Sequence, residues 1–303
     1  MRSAVAVLTY RRSLTLQTTL SGLHRHCAAY PTAIFEDCGQ RDDTETFLKR
    51  GRTGALRSAY LAHEWASVPG VDCVYPNWRV FLGQLNLGVA GNSNRALHWF
   101  MTETDADHLC LCNDDLLVDG DFVSYYARGH ADLGVGFWCF CDFTHHPSYK
   151  WTTYPVRGYG VKFLPRMTGI MMSITRQLVE KVGYFDVAFG QFGEEHCDYT
   201  HRCRFAGGIC LDGQDMGCLD LEHKLLRHQE CETSVVGDAR QRADQEAVEA
   251  MRQASQDYAW RDYYRPYRLI LPRNAGGHSG AGIPIANLLN CGYRIVSDLA
   301  LHS

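Results

Sequence analysis

The chain has 303 residues, of which 46% are apolar, 12% aromatic and 21% charged, enough for one large or two modest domains with real cores. Lys and Arg number 30 against 34 Asp and Glu, for a formal net charge of -4. That balance excludes a single strong basic field for non-specific nucleic-acid binding, and the composition excludes disordered, collagen-like and mucin-like chains.

Residues 4–10 form a short apolar run that breaks at Arg11, Arg12 and Ser13, which reads as a buried strand entering a polar loop. Ser13 is positioned to cap a helix over residues 14–30, where Leu16, Leu20, Leu23 and Cys27 recur at helical spacing. A second strand over residues 33–35 ends in Glu36 and Asp37, so the chain opens as a βαβ unit. Residues 44–50 read as a helix, 71–75 and 80–82 as short strands, and 92–103 as a helix with Ala96, Leu97, Phe100 and Met101 on one side. The run 108–112 is a buried strand that leads directly into Asn113, Asp114 and Asp115. Apolar runs without clean alternation point to a sheet covered on both faces, hence an α/β fold.

Further along, residues 132–143 read as an aromatic, cysteine-rich strand region, and 147–166 as a long ordered loop with little secondary structure. Helices are expected over 174–182 and 194–205, each closed by glycine, and strands over 209–211 and 218–221. A long Ala-rich helix is expected from Asp238 to about Tyr264, with Arg and aromatic residues interleaved near its end. The thirteen cysteines, odd in number and irregularly spaced, read as reduced, mostly buried thiols of a cytoplasmic protein. The polar residues 9–12 interrupt any signal-peptide core, and no window is long and apolar enough for a transmembrane helix.

Asn113, Asp114 and Asp115 carry the clearest chemistry. Adjacent carboxylates at the end of a buried strand are costly unless something positive offsets them, and Mg²⁺ or Mn²⁺ suits such oxygens. In open α/β sheets the ligand crevice lies outside the carboxyl ends of the strands, and Thr9, Tyr10, Arg11, Glu36 and Asp37 also follow strand ends. Neither GxGxxG nor GxxxxGK[ST] occurs, which argues against a dinucleotide-binding Rossmann site and a P-loop. A second cluster joins Gly169, which permits close backbone approach, to Glu194, Glu195 and His196 at a helix start. Any of those three is a candidate general base for an acceptor hydroxyl. Asp198 and Arg202, four apart, read as a structural ion pair.

The order of these pieces resembles the GT-A glycosyltransferases, in particular the inverting enzymes of family 2. Thr9-Tyr10 matches the end of the first strand, and Glu36 or Asp37 the acid that contacts the donor base. Gly91, Asn92, Asn94 and Arg95 match a helix start, Asn113-Asp114-Asp115 the Asp-x-Asp element, and Gly183 to Asp186 a Gly-x-Phe-Asp segment. Glu195 to Arg202 is similar to a Glu-Asp-x-Asp-x-x-x-Arg element, with His196 standing where many members carry the catalytic Asp.

The resemblance implies a GT-A-like, mostly parallel sheet flanked by helices, covering residues 1–230, with a nucleotide-sugar half to about 118 and an acceptor half from about 119. Residues 231–303 would add a helical C-terminal extension, a candidate homo-oligomer contact. It implies a metal-dependent inverting transfer from a nucleotide-diphosphate sugar, UDP by preference, to a hydroxyl. Mn²⁺ or Mg²⁺ would sit on Asp115 and Asn113 with a downstream histidine, His223 first and His228 second. Donor contacts would come from Thr9, Tyr10, Arg11, Glu36, Asp37, Asn92, Arg95, Asn113, Asp114 and Gly169, and catalysis from Glu195, His196 or Glu194. The acceptor stays open among saccharides and small molecules, which are favoured, and nucleic acid or protein. The rival readings are a nucleotidyltransferase on a similar fold and a non-catalytic sugar-nucleotide-binding scaffold.

Overall fold

The computed structural model describes residues 1–10, 12–37, 78–82, 88–142, 152–164, 169–185, 195–211, 214–215, 218–229, 267–270 and 294–297. Its first strand, β1 (Ser3–Thr9), is buried at all seven positions, as an apolar run in the middle of a two-sided sheet must be. After α1 (Ser13–Cys27), β2 (Thr32–Glu36) pairs with β1 in parallel, with Thr9 opposite Glu36. Then β3 (Trp78–Leu82) extends the sheet beyond β2. The helix α2 (Gly88–Glu103) precedes β4 (His108–Asn113), which pairs in parallel on the other side of β1 with Leu8 opposite Asn113.

Next come β5 (Leu116–Val118), α3 (Phe122–Leu133) and β6 (Phe137–Phe140), followed by β7 (Thr152–Val156), β8 (Tyr159–Leu164), β9 (Met171–Thr175) and α4 (Arg176–Val182). The order across the main sheet is β3-β2-β1-β4-β9-β6, with β9 antiparallel to both its neighbours. The result is a mixed, mainly parallel sheet flanked by helices, a GT-A-like, Rossmann-like fold. Reversal of β9 places Met171 opposite Cys112, so its start lies at the same edge as the carboxyl ends of β1, β2 and β4.

After α5 (Glu195–Phe205), two short strands, β10 (Cys210–Leu211) and β11 (Gln214–Asp215), pair with each other. Then β12 (Cys218–Leu221) joins β8 and β7 in a three-stranded antiparallel sheet. The next strand, β13 (Leu226–His228), pairs antiparallel with β5, His228 opposite Leu116. At the C-terminus β14 (Tyr267–Ile270) pairs antiparallel with β15 (Arg294–Ser297). The helix expected over 238–264, the helix over 44–50 and the strand over 71–75 lie outside the described residues.

Three expectations need correction. The segment 147–166 is no loop in its described part: β7 and β8 form a hairpin closed at Arg157 and Gly158, both at positive φ (49° and 87°). A two-residue turn of that kind, with both central residues at positive φ, suits the twist of paired strands. The expected helix over 174–182 begins only at Arg176, because residues 171–175 are needed as the antiparallel strand between β4 and β6. The start of the strand region over 132–143 is the end of α3, which the periodicity count missed although it is well punctuated. Asp121 accepts from the Ser124 amide at 3.0 Å, and Gly134 closes the helix at φ 69°.

Two polar networks cross the core. Between β1, β4, β9 and α3, the chain Ser3–His108–Ser173–His130–Val135 is linked at 3.1, 2.6, 2.8 and 2.5 Å. Its protons are fixed by the last member, because the Val135 carbonyl only accepts. His130 Nδ1–H therefore donates to Val135, Ser173 O–H to His130 Nε2, His108 Nε2–H to Ser173, and Ser3 O–H to His108 Nδ1. Both imidazoles are neutral: burial pushes His130 down to about 4 and His108 well below its ordinary value. The second network runs from the Leu225 amide to His223 Nδ1 (3.2 Å), from His223 Nε2 to the Tyr126 hydroxyl (2.9 Å) and from Tyr126 to Asp220 (2.6 Å).

Candidate active site at the carboxyl edge of the sheet

The ends of β1, β2 and β4 bring Thr9, Glu36, Asp37 and Asn113 to one edge by register alone. The Asp37 amide donates to the Thr9 carbonyl at 2.9 Å, which continues the ladder one residue past β2. Beyond β4 the chain turns through Asp114 and Asp115, both almost wholly buried. Thr9 donates its hydroxyl to Asp114 at 2.6 Å, and the Tyr10 backbone also bonds this carboxyl. Thr19, on the first helix, holds the turn itself by donating to the carbonyls of Asp114 and Leu116 at 2.8 Å. Burial pushes the Asp114 carboxyl up to about 7, with the Thr9 bond and Arg12 working against that rise and Asp115 adding to it.

Asp115 faces a guanidinium and an imidazole. Arg12 Nη1 lies 2.8 Å from its carboxylate and 3.6 Å from that of Asp114. His228 Nε2 lies 3.5 Å away, and the Asp115 bond, offset by burial, raises this imidazole above its ordinary value. The β5–β13 register brings it there: the amide of Gln229 donates to the Asp115 carbonyl at 2.7 Å. Asp142, just past β6, accepts from the His228 amide at 3.0 Å and adds another acid to this edge. Asp142 was not anticipated, since nothing in its local sequence marks it.

His223, the expected metal ligand, is instead committed to the Tyr126–Asp220 network. Both its ring nitrogens are engaged, its ring stacks on Phe140 at 5.5 Å, and burial holds it near 4. His228 is the histidine that meets Asp115. Asn92 and Arg95, expected as donor contacts, bond backbone carbonyls at the strand ends. Asn92 donates to the Phe35 carbonyl at 2.9 Å, and Arg95 to the carbonyls of Glu36 and Phe81 at 2.9 and 3.2 Å. Together they clamp the ends of β2 and β3. Asn94 exchanges two bonds with the Phe185 backbone, at 2.8 and 2.7 Å. Arg11, Glu194 and Asp186 lie outside the described residues.

The second cluster meets the same edge. The Asn113 amide donates to the Ile170 carbonyl at 3.0 Å, so Gly169 is one residue from the β4 end. The space that a side chain would take at Gly169 is filled by the His196 imidazole, so this glycine seats a histidine. His196 Nδ1 bonds Glu195 Oε1 at 2.6 Å across adjacent residues of the first turn of α5. The ring is met edge-on by Phe185, which itself stacks on Tyr199 at 4.0 Å. Arg202 pairs with Asp198 at 2.9 Å and donates to the carbonyls of Val182 and Tyr184, a structural tie between α4 and α5.

A carboxylate beside an imidazole fits Mn²⁺ or Mg²⁺ in its donor chemistry, with remaining positions suited to diphosphate and water oxygens. No group of three or more His, Cys, Asp or Glu side chains is gathered for a metal among the described residues. Cys27, Cys110, Cys112, Cys139, Cys141, Cys197, Cys203 and Cys210 form no disulfide, and no described helix is long and apolar enough to cross a membrane.

No family model and no curated protein matches the sequence. Among solved structures, the fold is similar to S. aureus TarS 1-349 in complex with UDP, at 12% identity and a TM-score of 0.45, over 68% of this chain and 56% of that one. It is also similar to GalNAc-T7 with UDP, GalNAc and Mn2+, at 12% identity and a TM-score of 0.44, over 66% of this chain and 40% of that one. This chain thus spans about half or less of the length of the structures it matches.

Proposed function

We propose that this protein is a metal-dependent, inverting glycosyltransferase that moves a sugar from a nucleotide-diphosphate sugar, UDP by preference, to an acceptor hydroxyl. The observation that carries the reading is the meeting of Asp114, Asp115, Arg12 and His228 at the carboxyl edge, joined through Asn113, Ile170 and Gly169 to the Glu195–His196 pair. Asp115 and His228 would hold the divalent ion, which when bound neutralises charge on the departing diphosphate. Arg12 supplies a second positive charge at the same place. Thr9 keeps Asp114 fixed, so the turn presents Asp115 in one orientation. The Glu195–His196 pair takes the proton of the acceptor hydroxyl as its oxygen attacks the anomeric carbon, and one displacement inverts the configuration. A covalent sugar intermediate on a carboxylate is not required.

In this reading residues 1–118 bind the donor and 119–230 bind the acceptor. The odd number and irregular spacing of the thirteen cysteines support a reducing compartment such as the cytoplasm. The test is Mn²⁺-dependent release of UDP from a panel of UDP-sugars, with Asp115→Ala as control. Turnover in the wild type that drops about 1000-fold in the variant supports the reading. Tight UDP binding without turnover would favour the scaffold, and pyrophosphate release from a nucleoside triphosphate would favour the nucleotidyltransferase.

A further inference from the structure

We infer that His196 is the proton acceptor and that Glu195 and Gly169 are its positioning residues. The inference rests on the glycosyl-transfer reading above and assigns the roles within its base pair. Glu195 is almost entirely buried, its side chain 4% exposed, whereas the His196 side chain is 13% exposed. The buried member of a bonded pair meets an incoming hydroxyl less readily than the one nearer solvent. The 2.6 Å bond runs to Nδ1, and a carboxylate only accepts, so the neutral ring carries its proton there. Nε2 is then the lone pair, and among the described residues nothing bonds it. Glu195 lies in the first turn of α5, where free backbone amides favour the ionised carboxylate.

Gly169 completes the seat. A Cβ there would overlap Cε1, Nδ1 and Nε2 of the ring together, which means that the imidazole lies flat against this glycine. Phe185 closes the seat edge-on at 5.8 Å between centroids. With its plane fixed and Nδ1 anchored, the ring has one direction left for Nε2. The hydroxyl proton passes to Nε2 as the hydroxyl oxygen bonds to the anomeric carbon. The bond from that carbon to the diphosphate oxygen breaks, and its electron pair leaves with the nucleoside diphosphate. The imidazolium so formed is stabilised by the Glu195 carboxylate, the logic of a carboxylate–histidine pair in acyl transfer.

Two measurements decide this. The first is ¹⁵N NMR of His196 in the full chain. The expected result is the Nδ1–H tautomer in the wild type, weakened in Glu195→Gln, and a shifted ring signal in Gly169→Ala. An Nε2–H tautomer in the wild type would overturn the dyad whatever the activity. The second is UDP release from the UDP-sugar panel beside calorimetric UDP binding. His196→Ala is expected to lower kcat about 100-fold or more with unchanged UDP affinity, and Glu195→Asp to recover part of what Glu195→Gln loses. Full turnover in His196→Ala with none in Glu195→Gln would transfer the base role to Glu195. A wild type that turns over no nucleotide sugar sinks the glycosyl-transfer reading instead, and the NMR result stands apart from it.

Discussion

The carboxyl edge and the core networks handle buried polar groups in opposite ways. In the Ser3–His108–Ser173–His130 chain every proton has one place, each ring is neutral, and nothing from outside is needed. At the edge, Asp114 and Asp115 crowd two carboxyls into a buried turn that Thr9, Arg12 and His228 offset. The closed network is the mark of structure, since a fully satisfied set of bonds has nothing left to offer a ligand. Charges held by exchangeable side-chain partners are the mark of a site, because a substrate or cation can take over the pairing.

The two histidines near the C-terminal end of the described fold sharpen that contrast most. His228→Gln is expected to lower transfer about 100-fold in a UDP-release assay, with little change in the denaturant midpoint. His223→Phe should leave transfer unchanged and lose about 2 kcal/mol in the same denaturant series, because the Tyr126 hydroxyl and the Leu225 amide lose their partner. Loss of Mn²⁺-dependent activity in the His223 variant would break the comparison.

Ser173→Ala removes the hydroxyl that both core rings share. It leaves His130 Nε2 without a partner and His108 Nε2 with only the Cys110 thiol at 3.5 Å, and should cost roughly 3 kcal/mol in chemical unfolding, with kcat unchanged. Acid titration tests the same network. His130 takes a proton near 4 when folded and near 6.5 when unfolded, so unfolding takes up a proton between those values. Stability from this group is full above about 6.5 and lost as pH falls toward 4. Asp220 acts with the opposite sign, its buried carboxyl pushed up from 3.8 to about 6. Its contribution is full below 3.8 and lost as pH rises through 6. Asp220→Asn should therefore steepen the acid loss seen by thermal unfolding between pH 6 and 4, and His130→Gln should flatten it.

Gly22→Ala acts through packing alone. A Cβ there would stand 2.8 Å from Val118 Cβ and 2.9 Å from its carbonyl oxygen. Forcing α1 away from β5 should cost about 1–3 kcal/mol. It should also loosen the turn that carries Asp115, which a weaker UDP affinity in calorimetry would report.

Much of the edge was legible because its signals are local. Residues 4–10 and 108–112 are apolar runs that stop at polar residues, and a buried parallel strand reads the same way whatever surrounds it. That is why the sequence places Thr9, Glu36, Asp37 and Asn113 at strand ends that share one edge. The β7–β8 hairpin was hidden because Tyr154, Pro155 and Tyr159 blur its alternation, and the end of α3 because residues 132–133 run on into the strand that follows.

The sequence by itself determined the α/β class and the strand ends that carry the acids. Which histidine meets Asp115, and what fills the space over Gly169, only the tertiary structure decided. His223 and His228 are five residues apart and both follow β12. The β5–β13 register, paired across more than one hundred residues of chain, puts one against the carboxylate and the other against Tyr126. Likewise Arg95, a donor-contact candidate by motif, is spent on the carbonyls of Glu36 and Phe81 once β2 and β3 lie side by side. Spacing along a chain ranks candidates, but a side chain's partner is set by whatever long-range pairing carries to within bonding distance.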